Sequence, residues 1–156
     1  MIGGQKGFTL IEILVAVVIL AIGLLGIAGL QVMSVKSSTN ANLRSVAVYL
    51  ANDMADRIRA NNVGVAAGNY DNETGSTKNA ACLTTTGCTA AQMAANDKFE
   101  WLQELEDELP GGAGTIVNNG GLFTVTVTWN DRVKQAEGAD ADTSSEQSTV
   151  SLTFQP

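Results

Sequence analysis

Histidine is absent from this sequence. That removes the imidazole base of Ser-His-Asp and Cys-His arrangements and every imidazole metal ligand, so most familiar hydrolytic and zinc chemistry has no starting point. Basic charge is also scarce: 9 Lys and Arg stand against 16 Asp and Glu, giving a net charge of -7 and a pI near 4.4. The acidic residues gather at 97–108 and 137–146. Gripping a phosphate backbone needs clustered Lys and Arg, so nucleic acid is not an expected partner. No pair of buried carboxylates and no activated nucleophile can be named, and the expectation is a chain that is not an enzyme and uses no cofactor and no metal.

Cysteine is nearly absent too, with only Cys82 and Cys88 on either side of a Thr- and Gly-rich stretch. An even count in an exported domain reads as one disulfide closing a small loop, worth about 2 kcal/mol. Two free thiols are the alternative reading.

What the sequence has in excess is a single apolar run near its start. Its 156 residues leave room for one compact domain and an appendage. Residues 8–30 carry one charge, Glu12, and a helix of about 20 apolar residues spans a bilayer core. The apolar part of a cleaved secretory signal is shorter, about 7–15 residues. A plain membrane anchor explains the length but not the carboxylate, because an acidic side chain inside a span costs roughly 2.5–3.5 kcal/mol. Glu12 therefore calls for a counter-ion.

The heptapeptide Lys6-Gly7-Phe8-Thr9-Leu10-Ile11-Glu12 resembles the class III leader and cleavage motif of type IV prepilins and type II secretion pseudopilins. The resemblance implies that a prepilin peptidase removes residues 1–7 on the cytoplasmic side, cutting between Gly7 and Phe8, and methylates the new amino terminus on Phe8. It also implies a subunit-assembly role for Glu12. Cleavage creates a cation at Phe8, and an amine on one subunit can pair with the carboxylate of a neighbour, offsetting the desolvation of both in an apolar bundle.

Residues 8–35 are then expected to form the hydrophobic transmembrane and assembly helix, 36–61 its amphipathic half, and 62–156 a periplasmic globular head. Gly23, Gly26 and Gly29 lie at a spacing of three and soften the outer end of the run, each by about 1 kcal/mol relative to alanine. Two readings stay open for them: close helix packing by small residues, and local melting between bilayer and filament. From Leu43 the apolar positions Val46, Ala47, Leu50, Ala51, Met54, Ala55 and Ile58 follow a helical period. Arg57 and Arg59 are read as solvated residues suited to a helix carboxyl end, with Asn61-Asn62 stopping the helix near residue 61.

In the head, residues 63–76 read as a surface loop. A short helix is expected over about 90–109, with Trp101 in the core and Pro110-Gly111-Gly112 ending it. The cluster Glu104, Glu106, Asp107 and Glu108 reads as a solvated acidic face rather than a cation site. Phe123, Val125, Val127 and Trp129 alternate with threonines in a half-buried strand. Residues 115–117 precede it across a turn at 118–121, and Val150, Leu152 and Phe154 form a carboxyl-terminal strand. The polar residues between 130 and 149 are expected to be mobile or variable.

This order of elements resembles the α+β type IV pilin fold, a long amino-terminal helix packed against a small antiparallel sheet. Ile22-Gly23-Leu24-Leu25-Gly26 and Met54-Ala55-Asp56-Arg57-Ile58-Arg59-Ala60-Asn61 are similar to the PilV-type minor pilins. That likeness implies an inner-membrane subunit with a periplasmic head. It would work with an assembly platform, other minor pilins and the major pilin to prime a pilus and enter it at or near the tip, with support for adhesion left open. A minor pseudopilin of a type II secretion system is the alternative.

Overall fold

The computed structural model describes residues 7–130 and 147–156. The chain divides into two compact units, Met1–Thr39 and Asn40–Pro156. Helix α1, Leu10–Ala60, contributes to both.

In the first unit α1 carries its apolar side chains outward all round. Phe8, Leu10, Ile19, Leu25 and Val35 are all exposed, and an 18-residue window of the helix reaches a mean hydropathy of 3.0 with none of it buried. So large an apolar surface is unsuited to water and matches a hydrocarbon core. Around Gly23, Gly26 and Gly29 there is open space where a Cβ would stand. Among the described residues these glycines make no close approach, and any tight packing they allow would be with another helix.

In the second unit α1 has one buried stripe, formed by Ala47, Leu50, Ala51, Met54, Ala55 and Ile58. These are the positions that the 3.6-residue period selects. The helix ends at Ala60, and α2, Asn62–Ala66, follows at once. Here the structure departs from the loop expected over 63–76. The Asn61 side chain accepts a hydrogen bond from the Gly64 amide at 3.0 Å and so caps a single turn too short to show a period. Tyr70, in the same stretch, is fully buried.

Helix α3, Ala90–Glu108, lies close to the expected bounds. Thr89 and Gln92 form a reciprocal capping box at its start. Its end is enforced by Leu109-Pro110 and by Gly112, where a Cβ would fall 1.9 Å from the Leu105 carbonyl oxygen. Trp101, wholly buried, sits at the centre of the core and donates its indole N–H to the Leu50 carbonyl of α1 at 3.0 Å.

Strands β1 (Ala113–Asn119), β2 (Leu122–Asn130) and β3 (Gln147–Phe154) form an antiparallel sheet in the order β1-β2-β3. The β1–β2 turn is tighter than the four residues expected. Gly120 and Gly121 alone make it, with φ of 64° and 93°, the pair of positive values a two-residue hairpin of this hand needs. Phe123, Val125, Val127 and Trp129 face the core with Ile116 and Phe154. Gly114 leaves room for the Trp101 ring, since a Cβ there would stand 2.3 Å from it. Of the polar stretch 130–149, Asn130 and residues 147–149 belong to β2 and β3, and residues 131–146 lie outside the described residues.

Candidate functional site

Gly7 and Phe8 precede α1, and Phe8 is exposed. The Thr9 carbonyl accepts the amides of Glu12 (3.1 Å) and Ile13 (3.3 Å), which starts the helix and puts Glu12 in its first turn. That is the end at which the helix dipole favours an anion. The carboxylate is exposed among Ile11, Ile13, Leu14 and Val15, all exposed and apolar. In a bilayer these neighbours offer it no hydrogen-bond donor. Phe8 stands just before the helix, and with Glu12, Ile13, Ala16 and Leu20 it lines one apolar surface depression.

In the second unit the main polar cluster surrounds Arg57. Expected to be solvated at the helix end, Arg57 is instead largely covered and held by four carboxylates. Its guanidinium reaches Asp53 at 2.7 Å on α1, and Glu100 at 3.0 Å, Glu104 at 3.3 Å and Asp97 at 3.8 Å on α3. Burial disfavours the charged guanidinium, but hydrogen bonds to Asp53 and Glu100 and the fields of Asp53 and Glu104 outweigh it and raise its pKa above the ordinary value. A planar fork with five donors suits such a crowd of carboxylates better than a lysine would. Glu104 is therefore an internal partner of α1, while Glu106, Asp107 and Glu108 remain exposed. Arg59 pairs with Asp56 at 2.8 Å and lies over the Phe154 ring, 4.5 Å from its centroid.

Behind Arg57 lies a buried network that the sequence reading missed. Asn61 donates to the Tyr70 hydroxyl at 3.1 Å and to the Ala90 carbonyl at 2.8 Å, and the Tyr70 hydroxyl donates to Asp97 at 2.5 Å. Burial raises the Tyr70 pKa, with the Asp97 hydrogen bond adding to it, so the phenol stays a donor. Burial likewise raises the Asp97 pKa, against the opposing pull of Tyr70 and Arg57. Lys98 is buried too, its ammonium donating to the Asn69, Asn72 and Thr74 carbonyls, and burial lowers its pKa. The one clue in the sequence was Tyr70, a lone aromatic in a run of small polar residues.

Asp97 sets the sign of a pH effect. Its folded pKa lies above the unfolded value of about 3.9, so between the two the folded state holds the extra proton. Its contribution to stability is greatest below pH ~4 and declines as pH rises through the folded pKa. Urea titrations of wild type and Asp97→Asn should show wild type losing ground to the variant from pH 4 to 7. A difference that stays constant across this range would contradict the assignment.

Cys82, within a 3-10 turn at Ala80–Leu83, and Cys88 form a disulfide with Cα atoms 4.7 Å apart. Among the described residues no group of three Asp, Glu, Cys or His side chains is arranged to hold a metal ion. Around Arg57 the guanidinium already occupies the centre of the carboxylates.

Two family models match the chain in succession. One, described as the prokaryotic N-terminal methylation motif, takes residues 2–28, and one described as type IV pilin Tt1218 takes residues 29–99. No curated protein and no solved structure matches it.

Proposed function

As a member of the type IV pilin family that bears the N-terminal methylation motif, this chain is, we propose, a minor pilin of the PilV type. It would be a structural subunit that primes pilus assembly and enters the filament at or near its tip. The family is a structural one, and its motif implies processing by prepilin peptidase followed by assembly into a pilus.

The observation that carries the reading is Glu12, a single carboxylate in the first turn of an otherwise apolar, outward-facing helix beside the processing motif. Residues 1–7 are the leader, and cleavage between Gly7 and Phe8 leaves a secondary amine on Phe8 after methylation. That amine is cationic at neutral pH. In the bilayer both charges are costly, and packing one subunit against the next lets the amine of one meet the Glu12 carboxylate of the other. The exposed apolar surface of the helix then packs against other pilin helices, and the head, residues 62–156, stands on the periplasmic side before assembly. Its work is positional and needs no bond-making residue.

The test is composition of sheared filaments. The chain should be found in the filament fraction at low abundance with other minor pilins and the major pilin. Its recovery only with a type II secretion pseudopilus would overturn the pilus assignment.

A further inference from the structure

Among the described residues β1 is an edge of the sheet, so its outward N–H groups have no neighbouring strand to bond. They find partners elsewhere. The Ile116 amide donates to the Glu73 carboxylate at 3.2 Å, and the Asn118 amide donates to the Asp71 carbonyl at 3.2 Å. The Asn118 side chain adds a bond of 2.6 Å to the Asp71 carboxylate. The loop thus bonds the edge at every second residue, in the order an antiparallel strand would follow.

Residues 69–74 contain no helix or strand of their own and are held from behind by α3. Two consecutive residues of that helix do the holding: Asp97 accepts from the buried Tyr70 hydroxyl, and Lys98 reaches the loop backbone. An ammonium has three protons to donate, and three carbonyls of this one short segment converge on it, those of Asn69 at 3.0 Å, Asn72 at 3.4 Å and Thr74 at 2.6 Å. Remove the ammonium and the carbonyls face one another with no proton between them.

The strand underneath has little of its own to turn others away. β1 carries no charge and no proline, and Thr115, Ile116 and Val117 are β-branched. A row of free N–H and C=O groups on such a strand is a template for pairing. The strand that matches it in length and in lack of charge is β1 of a second copy, antiparallel across a two-fold axis.

We propose that residues 69–74 are a strap, latched by Lys98, that closes the open edge of β1 and keeps a second copy of this chain from adding its own β1 there. The inference concerns the head alone, and its test needs no filament.

The test is residue-resolved amide hydrogen exchange by NMR on the full chain in detergent micelles. In wild type the Ile116 and Asn118 amides should exchange slowly at every protein concentration. Lys98→Met removes the donor and retains an unbranched side chain. In dilute protein it should speed exchange of both amides at least about tenfold, while Val125 and Val127 of β2 stay within about threefold of wild type. At about tenfold higher protein concentration both amides should regain protection, with a matching dimer in sedimentation, as a second β1 takes the place of the strap. Glu73→Ala tests the cover without touching the latch: it should speed Ile116 at least about tenfold and leave Asn118 within about threefold. Unchanged Ile116 exchange in either variant would overturn the strap. Equal loss of protection throughout β2 in Lys98→Met would make Lys98 a support of the whole head and overturn its role as a latch. Fast exchange in Lys98→Met that no protein concentration slows would overturn pairing with a second copy.

Discussion

Glu12→Gln is expected to leave the chain membrane-inserted and cleaved but to remove it from filaments. Glutamine matches glutamate in size and hydrogen-bonding reach, so helix packing and access for the peptidase are preserved and only the charge is lost. The amine on a neighbouring Phe8 would then sit in an apolar bundle without its anion. Breaking a buried pair by removing one partner costs about 3–5 kcal/mol, and at about 1.4 kcal/mol per decade this is a loss of incorporation of at least about 100-fold. The measurement is immunoblotting of sheared filament and membrane fractions from cells making each form. Normal incorporation of the glutamine variant would remove Glu12 from the account, whatever its cleavage state.

Trp101→Ala should have the largest effect on the head. The indole is wholly buried, bridges to the Leu50 carbonyl and fills the space left by the missing side chain of Gly114. Truncating it removes a large apolar body and leaves a cavity between α3, α1 and β1, for which about 3–5 kcal/mol is the expected loss. Marginal stability of about 5–15 kcal/mol makes that a large share of the total. Near-UV circular dichroism through a urea titration should show the midpoint fall well below that of wild type. A shift of less than about 1 kcal/mol would mean that Trp101 does not hold these elements together.

The contrast between these residues and the buried polar network shows what was readable in advance. Trp101 and the stripe from Ala47 to Ile58 declare themselves by period, because a helix with one buried face must repeat its apolar residues. The β2 alternation works the same way, and Pro110-Gly111-Gly112 marks the end of α3 by steric necessity. Arg57 did not declare itself. Its last-turn position is what a solvated, dipole-complementary arginine would show, and its partners Asp97, Glu100 and Glu104 come from another helix, at least 40 residues further along the chain. Asn61, Tyr70 and Lys98 were hidden for a related reason. Each is a polar group made buriable by hydrogen bonds to distant residues, and single-sequence pattern carries no record of such pairings. The turn at Asn62–Ala66 escaped because its five residues are too few for a 3.6-residue period to repeat. In the amino-terminal segment the case is reversed. The pattern of Gly7, Phe8 and Glu12 lies within the stretch that the methylation-motif model matches and is proposed to be read by a peptidase and by neighbouring subunits rather than by the chain's own packing, so the sequence states it more fully than the isolated fold does.

The most direct measurement is intact-mass and amino-terminal peptide analysis of the protein recovered from membranes of cells that contain the matching prepilin peptidase. The account predicts a chain of residues 8–156 whose first residue is N-methylated Phe8. A population that retains residues 1–7, or that begins at a residue other than Phe8, would contradict it.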